Sequence, residues 1–528
     1  MPIFRILPIL AALSPLSAAQ QTAPYTIAGH VVRHLDQQSL PGVRVSIAPV
    51  KDTERQVSVT TGPNGEFSFA GVPAGKYQLQ ATHHGFPRLY QQCENYSTAI
   101  VTGPNQDTEH IVFTFDAPAG IAGTVVDEDN EPVPRVTVYL FSTSIVAGKS
   151  ETRQINAVAT EESGTFHFGG LVSGTYYVAV AGRPWYAQSV FMPASSQLGN
   201  DSSKQTSQLD VTYPLTYYSS ATNPEGATPL KLQEGEKANI QIRVHSVPSL
   251  HIHLENLNAS ESIPPPFVTG VTQAGPGGIP VRLDSLQAGT ELFGIAPGRY
   301  TFLVQAPAQD QTVGAMHEQA VTLNADTTLH FSDAASASLK GRILSNSAEE
   351  SAKHTITLTA PSAMNLYRAD VRPDGSFEIP RILPGHYSIS LTSTPDTYFA
   401  KVEAKGATYT NGELKLAQAA PVELTIRLGR GVTNIDGIVV QDKKALAGAA
   451  VLLIPQDRTR TVGQDQSDSD GTFTIPNVPP GRYTLVAVDD WHSLLYADPA
   501  VIAPYLEHGL VLDVPLNKMP TVEVQHRK

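Results

Sequence analysis

The chain has little sulfur, no long apolar run and no basic run. Its single cysteine, Cys93, cannot form an internal disulfide, so stability must come from packed cores. No stretch reaches the roughly 20 consecutive apolar residues that a membrane-spanning helix needs. The net charge is −13, from 36 basic and 49 acidic residues. We therefore expect no nucleic-acid partner.

The N-terminus shows the order of features found in export signals. Arg5 supplies a positive charge, residues 6–16 form a short apolar run, and small residues follow up to Ala19. This order predicts a signal peptide over residues 1–19 with cleavage before Gln20; the alternative is a buried N-terminal strand or helix. A cysteine-poor exported chain fits a bacterium. We therefore expect a secreted, periplasmic or cell-envelope protein without a transmembrane segment after cleavage.

A repeat with two glycines recurs along the chain. A turn glycine precedes a phenylalanine by two residues, and ten residues later a second glycine precedes a tyrosine by two. The four clear copies are Gly65, Phe67, Gly75 and Tyr77; Gly164, Phe166, Gly174 and Tyr176; Gly375, Phe377, Gly385 and Tyr387; and Gly471, Phe473, Gly481 and Tyr483. A degraded copy keeps Gly298 and Tyr300, but its first turn has slipped to Gly289.

The repeat predicts strands joined by tight turns. Asn-Gly and Asp-Gly turns need a positive φ at glycine, and Pro-Gly fits the centre of a type II turn. Apolar residues alternate between the turns, as at Phe67 and Phe69, and alternation with period two indicates half-buried strands. About seven strands in about 90 residues cannot bury two faces in one sheet, so we expect two packed sheets.

The motifs resemble those of the carboxypeptidase regulatory-like family. They are G-x-V-V-D at residues 123–127, P-V-P-R-V-T-V at residues 132–138, the Asn/Asp-Gly-x-Phe turn and Pro-x-Gly-x-Tyr. The resemblance implies prealbumin-like or transthyretin-like sandwiches in a bacterial secreted multi-module protein. The expected fold is therefore all-β: a tandem array of about five seven-stranded Greek-key β-sandwiches.

We expect short joints and a semi-rigid rod of modules. The degraded copy of the repeat lies in the third module, and the second contains a long Tyr/Trp loop over residues 183–229. The expected module boundaries are 22–115, 116–245, 246–333, 334–429 and 430–528.

The residues of a carboxypeptidase site are missing. Zinc carboxypeptidases need a His-x-x-Glu pair and a distant histidine, and no histidine here has a glutamate three residues later. A Gly-x-Ser-x-Gly elbow, a phosphate loop and a dinucleotide fingerprint are also missing. We therefore predict no catalytic residue, no cofactor and no metal site, and we expect that the chain is not an enzyme.

Two weaker metal hypotheses remain open at this point. His251 and His253 share one strand face, and carboxylates cluster before turns at residues 127–131 and 465–471. Exposed strand histidines and solvated turns are the alternative interpretations, because the full ligand sets for zinc or calcium are missing.

Aromatic residues in the long loop are the candidate ligand-binding residues. Aromatic faces suit the apolar face of a sugar ring, and long loops between compact modules are often functional. The candidates are Trp185, Tyr186, Tyr213, Tyr217 and Tyr218.

Two functions follow from the sequence. The first is a non-catalytic exported structural or interaction protein, and the alternative is a carbohydrate-binding or adhesive cell-surface protein that uses the Tyr/Trp loop. The expected partner is an extracellular polysaccharide or an envelope protein.

Overall fold

The architecture is dominated by β-strands. A computed structural model describes residues 25–86, 92–93, 96–187, 210–256, 267–278, 280–283, 286–288, 290–305, 316–331, 337–344, 354–360, 366–392, 396–410, 412–456, 462–489, 494–516 and 518–527. About 62% of it is strand and 4% helix, which confirms the expected all-β class. The predicted signal peptide at residues 1–19 lies outside the described residues.

Strand group 1, residues 25–115, contains two sheets around one core and a separate two-stranded sheet at residues 92–93 and 96–97. One sheet has the order β4-β1-β9 and the other β3-β2-β5-β8. Both contribute to a single apolar cluster that includes Ile27, Val45 and Phe113. The strands are β1 Tyr25–Arg33, β2 Arg44–Pro49, β3 Val57–Thr60, β4 Glu66–Val72, β5 Gly75–Thr82, β6 Gln92–Cys93, β7 Tyr96–Ser97, β8 Ile100–Thr102 and β9 Ile111–Phe115.

Strand group 2, residues 119–248, repeats this plan with a larger second sheet. The orders are β13-β10-β17 and β12-β11-β14-β15-β18, and β16 also pairs with β14. A 3-10 turn spans Pro224–Gly226. The strands are β10 Ala119–Val126, β11 Thr137–Val146, β12 Lys149–Ala159, β13 Thr165–Leu171, β14 Gly174–Gly182, β15 Val211–Tyr217, β16 Leu230–Leu232, β17 Lys237–Arg243 and β18 Val247–Pro248.

Strand group 3, residues 250–331, carries the degraded repeat and still forms two sheets. Their orders are β22-β23-β19-β26 and β21-β20-β24-β25. A 3-10 turn spans Pro276–Gly278. The strands are β19 Leu250–Asn256, β20 Phe267–Ala274, β21 Pro280–Leu283, β22 Leu286–Ala288, β23 Glu291–Ile295, β24 Gly298–Gln305, β25 Met316–Leu323 and β26 Thr327–Phe331.

Strand group 4, residues 337–430, has the sheet orders β30-β27-β35-β32 and β29-β28-β31-β34-β33. One core cluster draws apolar side chains from both sheets, including Leu339, Ile356 and Tyr387. The strands are β27 Ala337–Leu344, β28 Thr355–Thr359, β29 Leu366–Asp370, β30 Ser376–Ile382, β31 Gly385–Thr392, β32 Thr397–Lys405, β33 Thr408–Thr410, β34 Glu413–Leu416 and β35 Val422–Arg430.

Strand group 5, residues 433–527, differs because β41 pairs with β43 and so joins its two layers into one continuous sheet. Helix α1, Pro499–Glu507, packs Ile502 against a second apolar cluster on the outer face. The strands are β36 Thr433–Gln441, β37 Lys444–Ala445, β38 Ala450–Pro455, β39 Gly463–Gln466, β40 Thr472–Val478, β41 Gly481–Val488, β42 Leu510–Val514 and β43 Val522–Arg527.

All five groups share one pairing rule for their first strand. β1 pairs antiparallel with β4 and parallel with β9, and β10, β19, β27 and β36 have equivalent partners. The antiparallel register shifts near the start of the first strand every time, as between Tyr25 and Ile27 or between Leu250 and Ile252. The parallel pair needs a long crossover, which the intervening strands of the second sheet supply.

The first glycine of the repeat is required by both its backbone and its surroundings. Gly65 has φ 74°, and a Cβ atom there would lie 2.5 Å from the carbonyl oxygen of Val31. Gly65 also accepts a backbone hydrogen bond from Val31, at 2.8 Å. Gly375 is equivalent, with φ 81° and a Cβ position 2.4 Å from the carbonyl oxygen of Ile343. A side chain at these turns would push the turn off the first strand.

The second glycine does not occupy the expected type II turn. Of the second glycines only Gly481 has a positive φ, at 157°, close to extended backbone. Gly385 shows what else the position requires, because a Cβ atom there would lie 3.2 Å from the hydroxyl of Tyr387. The glycine therefore makes room for the tyrosine two residues later.

That tyrosine makes the same hydrogen bond in all five groups. Its ring is buried and its hydroxyl donates to the backbone carbonyl four residues earlier, which satisfies a polar group inside the core. The donor–acceptor distances are 3.0 Å from Tyr77 to Pro73, 2.8 Å from Tyr176 to Val172, 2.6 Å from Tyr300 to Ala296, 2.8 Å from Tyr387 to Leu383 and 2.9 Å from Tyr483 to Pro479.

Removal of this hydroxyl should destabilise the sandwich that contains it. We expect Tyr176→Phe to lower the free energy of unfolding by about 1 kcal/mol, because the Val172 carbonyl loses its donor inside the core. Tyr177→Phe is the matched control, since the neighbouring hydroxyl makes no hydrogen bond among the described residues. The protection of the β14 amides against hydrogen exchange, compared between the two variants, measures this loss of stability. Equal protection in the two would show that the hydroxyl bond is unimportant.

Candidate functional site

The predicted aromatic residues do not form one surface. Trp185 and Tyr186 are exposed, at 64% and 37%, and their rings meet edge to face with centroids 5.8 Å apart. Tyr213 and Tyr217 are buried, because residues 211–217 form β15 instead of continuing the expected loop. Tyr218 is half-buried against the core of strand group 2. Residues 188–209 of the expected loop lie outside the described residues.

Tyr217 belongs to the contact between strand groups 2 and 3, together with Tyr139, whereas Tyr213 packs in the core of strand group 2. The hydroxyl of Tyr217 donates to the carbonyl of Ala274 at 3.0 Å, and that of Tyr139 donates to the carbonyl of Arg282 at 3.1 Å. Burial raises the pKa of both Tyr213 and Tyr217. The two tyrosines of β15 are therefore packing residues in this structure.

A cavity of about 320 Å³ lies beside this contact. Tyr213, Thr212 and Arg183 line it from strand group 2, and Tyr300 lines it from strand group 3. Their polar atoms are largely engaged: Thr212 donates to backbone carbonyls, and a guanidinium nitrogen of Arg183 donates to the carbonyl of Phe293 at 3.1 Å. The cavity therefore shows no convergent set of free polar groups toward a ligand.

Strand groups 1 and 5 also touch, although the whole chain separates them. The carboxylate of Asp468 accepts from the Lys76 ammonium at 2.5 Å and from the Ala99 amide at 2.9 Å. Ser469 adds two bonds of 2.9 Å, from its amide to the Ala99 carbonyl and from the Val101 amide to its hydroxyl. Burial raises the pKa of Asp468, and the pairing with Lys76 only partly offsets it.

The expected rod is therefore wrong. Strand group 5 contacts strand group 2 as well, through a 3.2 Å hydrogen bond from the Ala497 amide to the Gly148 carbonyl. Residues 148 and 497 can meet only if the chain folds back on itself. The turns and hairpin tips of the sandwiches supply hydrogen-bonding groups for these contacts, which no local pattern in the sequence indicates.

The acidic turn that raised the calcium hypothesis is committed to hydrogen bonds. Asp465 accepts from the Thr474 amide at 2.6 Å, and burial raises the pKa of Asp465 to about 6. Asp470 accepts from the amide and hydroxyl of Thr472. With Asp468 facing strand group 1, these carboxylates point to different partners. They do not form a metal-ligating group.

The two strand histidines are also separated by their partners. His251 pairs with Asp210 and lies edge to face with Phe293, with ring centroids 5.2 Å apart. His253 pairs instead with Glu291, at 2.7 Å. The hypothesis of a shared metal is therefore not supported by their geometry.

Within the described residues, one group of three side chains is placed so that it could bind a metal ion. The ligand atoms of His34, Asp116 and Glu234 all lie within 4.8 Å of one another. Sequence analysis missed this trio because His34 and Glu234 are 200 residues apart and belong to different strand groups. None of the three stands in a short motif.

The comparisons with known proteins fit the fold. The carboxypeptidase regulatory-like domain family matches residues 26–114 and 434–492. Two parts of this chain are therefore similar to carboxypeptidase regulatory-like domains. The sequence resemblance is thus confirmed for strand group 1 and for most of strand group 5.

Solved structures with β-sandwich domains are also similar to the chain. The minor pilin of Streptococcus agalactiae is 14% identical, with 42% of this chain and 97% of that chain covered and a TM-score of 0.22. The Bacillus anthracis TIE protein is 10% identical, with 78% and 76% covered and a TM-score of 0.18. A streptococcal ancillary pilin is 12% identical, with 58% and 99% covered and a TM-score of 0.18. No curated protein matches.

Lys76 and Asp468 join the two segments that match this family. Each contributes a different surface, since Lys76 lies on β5 and Asp468 lies in the turn before β40. Among the described helices, none has the length and apolar character of a membrane span. The contact between Lys76 and Asp468 joins two strand groups of the same chain.

Loss of the Asp468 carboxylate should open the contact between these two domains. We expect Asp468→Ala to weaken the closed arrangement by about 1–3 kcal/mol, because the Lys76 ammonium and the Ala99 amide lose their acceptor. Small-angle X-ray scattering should show a larger radius of gyration. Arg482→Ala is the control, since it breaks an exposed ion pair within strand group 5. An unchanged radius in Asp468→Ala would contradict the closed arrangement.

Proposed function

We propose that this chain is a non-catalytic, exported structural or interaction protein of a bacterial cell exterior. It is built of about five modules, at residues 22–115, 116–245, 246–333, 334–429 and 430–528. The observation that carries the proposal is the use of polar groups between strand groups. Lys76 with Asp468 and Tyr217 with Ala274 hold sandwiches together, and they do not surround a reactive cleft.

In this role the mature protein is a scaffold whose partner is an envelope protein or an extracellular polysaccharide. Its rigidity comes from the cores and from the contacts between sandwiches, because a single cysteine supplies no internal disulfide. Export through the segment 1–19 brings it to a compartment where such a partner is reachable.

An activity screen tests the non-catalytic part of the proposal. The purified mature protein should hydrolyse peptidase, esterase and glycosidase substrates no faster than buffer alone. This should hold with and without added chelator or divalent metal. Detection of the mature N-terminus at Gln20 in the exported fraction tests the export part. Turnover that follows the protein through purification would overturn the non-catalytic assignment.

A second candidate function is carbohydrate binding by Trp185 and Tyr186. Their exposure favours it, because two neighbouring aromatic side chains present apolar surface to solvent that sugar rings can stack on. Tyr213 and Tyr217 do not support this reading, since both are buried. A platform would therefore consist of the Trp185–Tyr186 pair.

Affinity electrophoresis in polysaccharide gels tests this second function. If the pair binds a glycan, the Trp185→Ala, Tyr186→Ala double variant should no longer be retarded. The affinity should fall about fivefold for each kcal/mol of stacking free energy that is lost. Ile155→Ala is the matched control, since Ile155 is 50% exposed on β12 of the same strand group. If no glycan retards the migration of the parent protein, the hypothesis of carbohydrate binding is wrong.

A further inference from the structure

Three side chains from distant parts of the sequence converge where strand group 1 meets strand group 2. His34 follows β1, Asp116 follows β9, and Glu234 precedes β17. The Nδ1 atom of His34 lies 2.8 Å from Oε2 of Glu234 and 4.0 Å from Oδ1 of Asp116. Strand group 1, the joint and strand group 2 therefore each supply one potential ligand.

The Glu234 carboxylate is held in place by the joint itself. Its Oε1 atom accepts the Ala117 amide at 2.8 Å, which leaves Oε2 directed toward His34. The adjacent Gly235 amide donates to the Ala117 carbonyl at 2.9 Å, so backbone bonds fix the segment on both sides. Glu234 is thus oriented by backbone contacts before any ligand binds, which is how metal ligands are commonly positioned.

The charges of the trio do not balance. Asp116 accepts no hydrogen bond among the described residues, and its Oδ1 atom lies 4.0 Å from Nδ1 of His34. Arg33, the residue before His34, is engaged by Asp36 and Gln38. Two carboxylates meet at one imidazole in this trio, so a divalent cation would compensate both carboxylates at once.

We infer that His34, Asp116 and Glu234 form a binding site for a divalent transition-metal cation of the Zn²⁺ class. One imidazole nitrogen and two carboxylate oxygens are a donor set that Zn²⁺ accepts, with a fourth position left for water. Calcium fits less well, because it takes six to eight oxygen ligands and rarely imidazole. On binding, the ring proton of His34 is held on Nε2, any proton on Nδ1 passes to solvent, and the Nδ1 lone pair binds the metal.

A metal here would tie two sandwiches together. The chain passes from strand group 1 to strand group 2 at residues 116–118. The three ligands lie at this joint and in the strand groups on either side of it. The bound cation would limit bending at the joint and stabilise the folded state by an amount that rises with the logarithm of its concentration over its Kd. This inference does not depend on the proposed function, since a scaffold and a binding protein can both contain such a joint.

Isothermal titration of the chelator-treated mature protein with ZnCl₂ tests the site. The background is Cys93→Ser, which removes the thiol as a competing ligand. We expect one saturable site, and we expect His34→Gln and Glu234→Gln each to weaken it by more than about tenfold. His110→Gln is the matched control, because His110 pairs with Asp107 on the same strand group without a third ligand.

A second readout separates the site from adventitious binding by surface histidines. Zn²⁺ should slow hydrogen exchange at the Ala117 and Gly235 amides, and Co²⁺ should give the visible absorption of a tetrahedral site that His34→Gln abolishes. Lack of saturable binding, or binding that the His34 and Glu234 variants leave unchanged, would overturn the inference. A Ca²⁺ titration that outcompetes Zn²⁺ would also overturn it. None of these outcomes bears on the activity and glycan tests.

Discussion

A buried tyrosine with a satisfied hydroxyl is the constraint on which each sandwich depends. The ring of Tyr176 fills the space between two sheets, while its hydroxyl closes the preceding turn on the Val172 carbonyl. One side chain thus couples the geometry of a turn to the packing of a core. Phenylalanine could fill the same space, but it would leave the carbonyl without a donor. This coupling explains why tyrosine recurs while the residues around it change.

Strand group 3 shows how little of the repeat is needed. Its first turn has slipped and the Asn/Asp-Gly-x-Phe motif is gone, yet Tyr300 keeps its bond to Ala296 and β19 keeps the shifted register of the other first strands. Leu292 and Ile295 of β23 and the alternating apolar residues of β24 still supply both faces of a core. The strand pairing therefore survives because the burial of apolar residues survives, although the Asn/Asp-Gly-x-Phe motif does not.

Contacts between sandwiches follow a different logic from the cores. They use backbone carbonyls, as with Ala274 and Gly148, and carboxylates at turns, as with Asp468 and Glu234. Such groups occur in every sandwich, so their presence in the sequence does not reveal which of them meet. The resulting arrangement is closed, because strand group 5 reaches back to both strand groups 1 and 2.

The sequence by itself determined the all-β class, the two-turn repeat and the resemblance to carboxypeptidase regulatory-like domains. These rest on local patterns: period-two burial, glycine at turns such as Gly65, and tyrosine twelve residues later. Only the tertiary structure decided that Tyr217 is buried, that Trp185 is exposed, and that His34 meets Glu234. Those outcomes depend on how separate sandwiches pack, and side chains 200 residues apart carry no mutual signal in a single sequence.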